Sequence, residues 1–417
     1  MNSTDTGASG VGYFPYPTEW LDAESEEIAR SVDRWVRTEC VEKRLEYREQ
    51  FEHQMSALKI LAGEIGLHRL IWPEAMGGVG FPLPDAASAL ARAYEEIGRG
   101  DPAIGYVSAA AMAVAASILQ EEDVPPALIE DLASLFCGDD PATAPLALIP
   151  PGLGENGRPA RPFISGREVA ADMSPGDNGW LLSGSAARPV NSGYTASRFA
   201  VFAAAPDGIV LIIIPSDTQG VKKGSPLKTT GLLASVNCDV DFDGVPVADH
   251  QVLKGGERLY RRLIPWFTLL TGALAVGSAT DVYGLVKDWA DSRVIKGKGL
   301  LKENPMDAAV LAQVAMDIVT ARILIHSQAR AVARPAGFSL KGAEELVVFS
   351  ESISVRVFDC CMHAVNRAME MMGSAGYAKE WHVEKHWRDI KTMQVLLGGR
   401  TPVEMDVARH YYGSSTI

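Results

Sequence analysis

His382 and His386 stand four residues apart, the spacing that puts two imidazoles on one face of a helix. A metal site there would need a third ligand, and none is evident. No glutamate follows His382, so the pair is not the HExxH pattern, and no metal site is expected. These two and His410 read as packing or surface histidines, although a neutral imidazole can relay protons near pH 7. No Gly-x-Ser-x-Gly elbow occurs. The run Ser292-Arg293-Val294-Ile295-Lys296-Gly297-Lys298 collects cations at the end of a long periodic segment and, by itself, is a solvated helix end. Met372-Gly373-Ser374-Ala375-Gly376-Tyr377 sets two glycines just past another such segment, where a helix cap and close backbone approach are expected. Trp72-Pro73-Glu74-Ala75-Met76-Gly77-Gly78-Val79-Gly80 is a loop with a rigid turn at Pro73 and positive backbone angles at its glycines. The acids that could move a proton also have structural uses. Asp101 suits a helix cap, Glu257 suits a helix start, and Glu404 and Asp406 decorate the last helix.

These residues need a large frame. At 417 residues the chain exceeds one ordinary core, and roughly 100–200 residues per domain gives two or three. The net charge of −13 argues against a nucleic-acid partner, which requires clustered Lys and Arg. No segment is read as long and apolar enough to span a bilayer; Phe267 to Ala279 is apolar but short. Five cysteines without CxxC spacing point to a reduced, cytoplasmic protein.

Residues 1–23 read as a flexible polar lead. Residues 24–143 read as a helical domain, with helices over Glu24–Arg48, Gln54–Ile65, Pro84–Arg99 and Ala103–Gln120. From 144 to 252 short runs of β-formers alternate with Gly, Pro, Asp and Ser: Gly179–Gly184, Arg198–Phe202, Gly208–Ile214 and Cys238–Phe242. Helices return over 253–417, at Leu259–Trp289, Met306–Ala333 and Ala343–Met372, with a shorter one within Val395–Tyr412. The fold class is therefore mostly α with an inserted β domain.

The order and the motifs resemble the acyl-CoA dehydrogenases, over about residues 24 to 412. The Pro73 loop resembles the family's Pro-Glu-x-x-Gly-Gly-x-Gly loop. The Gly373 turn with Val383-Glu384-Lys385 and Arg388-Asp389-Ile390-Lys391 resembles the family's C-terminal signature, with Ser374 for a second glycine. The resemblance implies an N-terminal helical domain, a middle β-barrel, a C-terminal four-helix bundle and bound FAD. It assigns the adenosine-diphosphate half of FAD to Gly373, Ser374, Ala375 and Gly376, with Glu370 in place of a common glutamine. It also assigns the pyrophosphate to Arg293, whose guanidinium suits bidentate bonding. Lys296 stands where the family has an aromatic. In the β domain Arg188 takes the place of a tryptophan beside the flavin, and Val190 that of a threonine or serine bonded to the ring. The family's Glu-Pro-Gly-x-Gly-Ser-Asp stretch survives as Pro150-Pro151-Gly152-Leu153-Gly154. Gly399, which replaces a threonine, and Thr401 take further FAD-facing places.

In the family a carboxylate removes the α-proton of an acyl thioester as hydride passes to the flavin. In many members that base is the glutamate of a Glu-Gly-Thr triplet; here the triplet is Leu397-Gly398-Gly399. A minority carry it early in the bundle's first helix, where Ile264, Pro265 and Trp266 stand. Asp101, from a region that supplies an acid in some relatives, and Arg188, as a holder of a substrate carboxylate, are the remaining catalytic candidates. Three functions follow from the resemblance. One is oxidation of an acyl or acyl-thioester substrate by an unconventional route, such as decarboxylation of a β-keto acid with use of oxygen, as in biosynthetic relatives. Another is a monooxygenase fed by a flavin reductase. The third is an FAD-binding subunit that has lost the base and pairs with a catalytic chain. A homodimer or homotetramer is implied, because the Gly373 turn and Arg293 serve a neighbouring subunit's FAD. An electron-transfer flavoprotein is a further implied partner.

Overall fold

The computed structural model describes residues 13–47, 49–153, 161–295 and 299–413. Six helices form the first unit. α1 (Ala23–Trp35) starts where the Asp22 side chain accepts the Ser25 N–H at 2.7 Å. It runs on through one π-helical segment, Val36–Val41, toward α2 (Arg44–Tyr47) and α3 (Phe51–Gly63). α4 (Ala86–Gly100) and α5 (Pro102–Leu119) are buried along nearly their whole length. α6 (Pro126–Cys137) was not expected from the sequence. Pro126 sits in the first turn, where its missing N–H costs nothing. The lead ends earlier than expected: Phe14 is buried, and its carbonyl accepts Nη1 of Arg322 at 3.1 Å.

The middle unit begins with β1 (Leu146–Ile149), β2 (Gly152–Leu153), β3 (Arg161–Pro162) and β4 (Arg167–Val169). β5 (Ala171–Gly176), β6 (Gly179–Ala187), β7 (Arg198–Ala205), β8 (Gly208–Pro215), β9 (Val221–Lys223), β10 (Val240–Val247) and β11 (Val252–Lys254) follow. The main sheet runs β11-β8-β7-β5-β6-β10-β9, with β1 parallel on β7. Its own core holds Phe199, Ile212, Ile214, Phe242 and Val245. In β10 the alternation of apolar and acidic residues becomes an alternation of buried and exposed ones.

α7 (Gly256–Ser292) then runs through the centre of the molecule, touching α4, α5, α8 and α9. A Cβ at Gly277 would overlap the Glu95 carbonyl, so the α4–α7 crossing needs glycine to bring the two backbones together. After the hairpin β12 (Val294–Ile295) and β13 (Gly299–Leu300) come α8 (Pro305–Ala333) and α9 (Ala343–Met372). α10 (Val383–Gln394) and α11 (Arg400–Tyr412) close the bundle. α10, the helix made by the signature run, was not foreseen as an element.

Three helices are long and apolar enough to cross a membrane by length and composition, contrary to the expectation of none: α5, α7 and α8. Burial inside the protein accounts for the apolar stretches of α5 and α7. That of α8 is only 28% buried, and Met306, Met316 and Ile323 are exposed on it.

Candidate functional site

Leu397 lies in the 3-10 turn Leu396–Gly398 that joins α10 to α11. Leu397, Gly398 and Gly399 all have positive φ, at 54°, 92° and 80°. A left-handed leucine costs on the order of 1–2 kcal/mol, so the sharp turn is imposed on it by its surroundings. The turn forms one wall of a cleft of about 490 Å³ open to solvent, facing Phe267, Thr268 and Thr271 of α7 and Phe358 of α9. Thr268 and Thr271 donate to carbonyls of their own helix at 2.8 and 2.7 Å. The carboxylate in the described lining is Asp359, which accepts Arg400 at 2.7 Å and Arg356 at 3.3 Å. No other carboxylate lines this cleft among the described residues.

The other acids have structural partners. Asp101 caps α5, accepting the Ala103 and Ile104 N–H groups, and receives Lys385 Nζ at 2.8 Å. The Lys385 ammonium holds its carboxyl below the usual range against the opposing effect of burial. Glu257 is in the first turn of α7 and pairs with Arg261 at 2.6 Å. Ile264, Pro265 and Trp266 are buried inside α7. Glu404 decorates α11 as expected, paired with Arg400 at 2.7 Å. Asp406 does not: it is buried, and Arg167 of β4 reaches it at 2.6 Å. The reason lies in a strand almost 240 positions away, which helical periodicity cannot reveal.

The histidines are part of the packing. His386 Nδ1 meets Ser278 Oγ at 2.6 Å and Nε2 meets Asp281 at 3.0 Å, while Arg44 holds Asp281 from the other side at 2.9 Å. His382 stacks edge-on to His386, and burial pushes its imidazole down to about 2. His410 sits near the end of α11, 3.8 Å from Glu344. Among the described residues no cluster of three or more metal-ligating side chains occurs.

Of the residues assigned to the dinucleotide end, Arg293 follows α7 with its guanidinium 5.3 Å from the Trp289 ring, and Trp289 meets Trp381 edge-on at 4.7 Å. Trp381 ends the short 3-10 turn Lys379–Trp381 that follows Gly373–Tyr377, and Arg293, Gly373 and Ser374 are exposed. Gly373 has φ 61°, and a Cβ there would meet open space. At Gly376 a Cβ would lie 2.7 Å from the Met369 carbonyl, so glycine is required. Ser374 is exposed and Ala375 half-buried in the same turn. Glu370 is exposed and pairs with Arg367. Thr401 is exposed at the start of α11, and Gly399 borders the cleft.

The ring-end positions differ. Arg188 closes its guanidinium on Asp239, with Nε and Nη2 donating at 2.7 and 3.1 Å. The N–H of Val190 donates to Leu148 O at 2.8 Å, and its carbonyl accepts Tyr106 Oη at 2.7 Å. Both peptide groups of Val190 therefore serve the fold. Asn191, not singled out from the sequence, clamps the segment by bonding Leu148 N and Leu146 O at 3.0 and 2.9 Å. Gly154 and Lys296 lie outside the described residues. At the adenosine-diphosphate end Arg293 and Gly373 are exposed, and a Cβ at Gly373 would meet open space, which fits a bound dinucleotide. At the ring end the hydroxyl and indole named in the resemblance are replaced.

A helical unit, a β unit and a helical bundle in this order are the architecture of the acyl-CoA dehydrogenase-like flavoproteins. Comparison with known proteins agrees. Residues 22–122 match the acyl-CoA dehydrogenase N-terminal domain and residues 269–398 the acyl-CoA dehydrogenase C-terminal domain. A probable acyl-CoA dehydrogenase, YngJ of Bacillus subtilis, is 26% identical over 93% of this chain and 98% of its own. Benzylmalonyl-CoA dehydrogenase of Aromatoleum aromaticum is 25% identical over 81% of this chain and 84% of its own. The fold is similar to a glutaryl-CoA dehydrogenase of Mycobacterium smegmatis in complex with FADH2, with TM-score 0.77, 17% identity and coverage of 96% and 97%. The chain belongs to the acyl-CoA dehydrogenase superfamily, whose members are FAD-binding flavoproteins.

Proposed function

We propose that this chain is an FAD-dependent oxidoreductase that acts on an acyl or acyl-thioester substrate without a carboxylate at position 397. The carrying observation is the cleft at Leu397, whose described lining offers a carboxylate only in Asp359, already bonded by two arginines. Arg293 and the Gly373–Gly376 turn would hold the adenosine-diphosphate end of FAD, and Gly399 lines the cleft. When bound, the flavin supplies the electron acceptor. With no carboxylate base, the reaction begins with loss of a group other than the α-proton, and decarboxylation of a β-keto or malonyl-type acid is the simplest case. The relative that carries a malonyl group in its name supports a doubly activated substrate. The five unpaired cysteines support a reducing compartment. The exposed apolar side of α8 and the exposed Arg293 and Gly373 support a second copy as partner.

Purified protein would be tested by visible spectrum and intact mass, then mixed anaerobically with an α-alkylmalonyl thioester, which carries a free carboxylate to lose. Bound FAD that bleaches without any reductase supports the proposal, and bleaching that requires a reductase favours a monooxygenase. Co-purification with a glutamate-bearing chain would instead identify a non-catalytic FAD-binding subunit, a reading that Leu397 also favours.

A further inference from the structure

A second cleft, of about 960 Å³, lies along the same groove between α7 and α9 under α11. Its α7 residues, Tyr260 and Arg261, precede the Phe267–Thr271 wall of the first cleft by about seven positions, or on the order of 10 Å along a helix. Glu351 lines it from α9 and is 2% exposed. Tyr260 is also 2% exposed. Glu351 Oε2 and Tyr260 Oη have no hydrogen-bond partner among the described residues. Buried polar oxygens in a native fold are nearly always bonded, so two such atoms in one cleft wall mark a place for a ligand.

The neighbouring charges explain why Glu351 is not simply an ion pair. Arg167 stands 3.8 Å from it but 2.6 Å from Asp406. Arg409 also donates to Asp406, at 2.8 Å. Arg261 pairs with Glu257 and faces Glu344 at 3.6 Å, while His410 faces Glu344 at 3.8 Å. Burial first, and the Asp406 charge second, push the Glu351 carboxyl up to about 8, with Arg167 opposing. Burial raises Tyr260 as well. At neutral pH both groups carry their protons.

We propose that Glu351 and Tyr260 form a carbonyl-oxygen subsite, two neutral O–H donors that hold the oxygen of a ketone, thioester or amide group on the substrate. A protonated carboxylic acid and a tyrosine hydroxyl are each donors to a carbonyl oxygen. With its α7 lining on the order of 10 Å along the helix from the Leu397 wall, the subsite would take a carbonyl remote from the reacting carbon. The proposal rests on the reading of this chain as an oxidoreductase of acyl substrates.

The test measures binding of acetoacetyl-CoA and of free CoA to the FAD-containing protein by calorimetry, across pH 6 to 10. Glu351→Ala and Tyr260→Phe should each weaken binding about tenfold, the scale of one lost buried hydrogen bond. Loss for acetoacetyl-CoA alone assigns the oxygen to the acyl group, and equal loss for both probes assigns it to an amide of the carrier arm. In the wild type affinity should fall above about pH 8, as Glu351 ionises and loses its O–H. Glu351→Gln, which keeps a donor, should restore affinity to within about threefold and abolish that pH dependence. Unchanged affinity in all three variants, or an unaltered pH profile in Glu351→Gln, overturns the subsite. A wild type that holds FAD but binds neither probe overturns the subsite alone, whereas a protein without FAD overturns the functional reading beneath it.

Discussion

Asp101 and Lys385 stand 284 positions apart and meet at 2.8 Å in a buried ion pair. Lys385 also donates to Asp389 at 2.6 Å, and Asp389 accepts the Leu232 N–H at 2.6 Å. Arg388 reaches Glu49 and the Thr230 carbonyl, each at 2.7 Å. The signature run on α10 therefore ties the first helical unit, the β unit and the bundle together around the turn that carries Leu397.

Lys385→Ala should destabilise the fold by about 3–5 kcal/mol, because it strands two buried carboxylates without their partner. Urea unfolding followed by circular dichroism would show it. A loss below about 1 kcal/mol would mean that the network is not a structural tie.

Arg293→Ala should leave the unfolding midpoint within experimental error while weakening FAD binding about tenfold or more. A charge-assisted contact to phosphate is worth about 1.5–3 kcal/mol, and the residue is exposed. Fluorescence titration of the apoprotein with FAD measures this. Equal FAD affinity would remove Arg293 from the site.

Arg188→Ala should cost under about 1 kcal/mol, since the pair with Asp239 is exposed. Turnover should stay within about twofold, because the guanidinium already bonds Asp239. A loss of tenfold or more would show that the arginine leaves Asp239 to hold a substrate carboxylate.

Stability should fall as pH rises from about 4.5 to about 8, the ordinary and the folded values for Glu351. The sign follows from linkage: over that window the folded state keeps a proton that the unfolded chain has released. Glu351→Gln should flatten that slope in a plot of Tm against pH. An identical slope in the variant would show that Glu351 is ionised in the fold.

Much of this was legible in the sequence. Ala343–Met372 and Pro305–Ala333 are helices within a residue of their apolar periodicity, and the glycines at 373 and 376 read correctly as a turn. The FAD-facing residues came from motif resemblance, which gives places but not surroundings. What stayed hidden was tertiary. Glu351 and Asp406 look like ordinary helix acids until β4 brings Arg167 between them. α10 hid inside its own motif, because its charges read as chemistry rather than as one half-buried helix face. α6 begins at Pro126, a start that the residues named in the sequence did not mark.

The most direct test of the central claim is anaerobic stopped-flow mixing of the FAD-containing chain, alone, with an α-alkylmalonyl thioester, which keeps a free carboxylate on its α-carbon. Flavin absorbance should bleach in a single turnover with no reductase and no second chain present. A flavin that stays oxidised, and is reduced only when a glutamate-bearing chain is added, would contradict the claim that this chain oxidises its substrate without a carboxylate at 397.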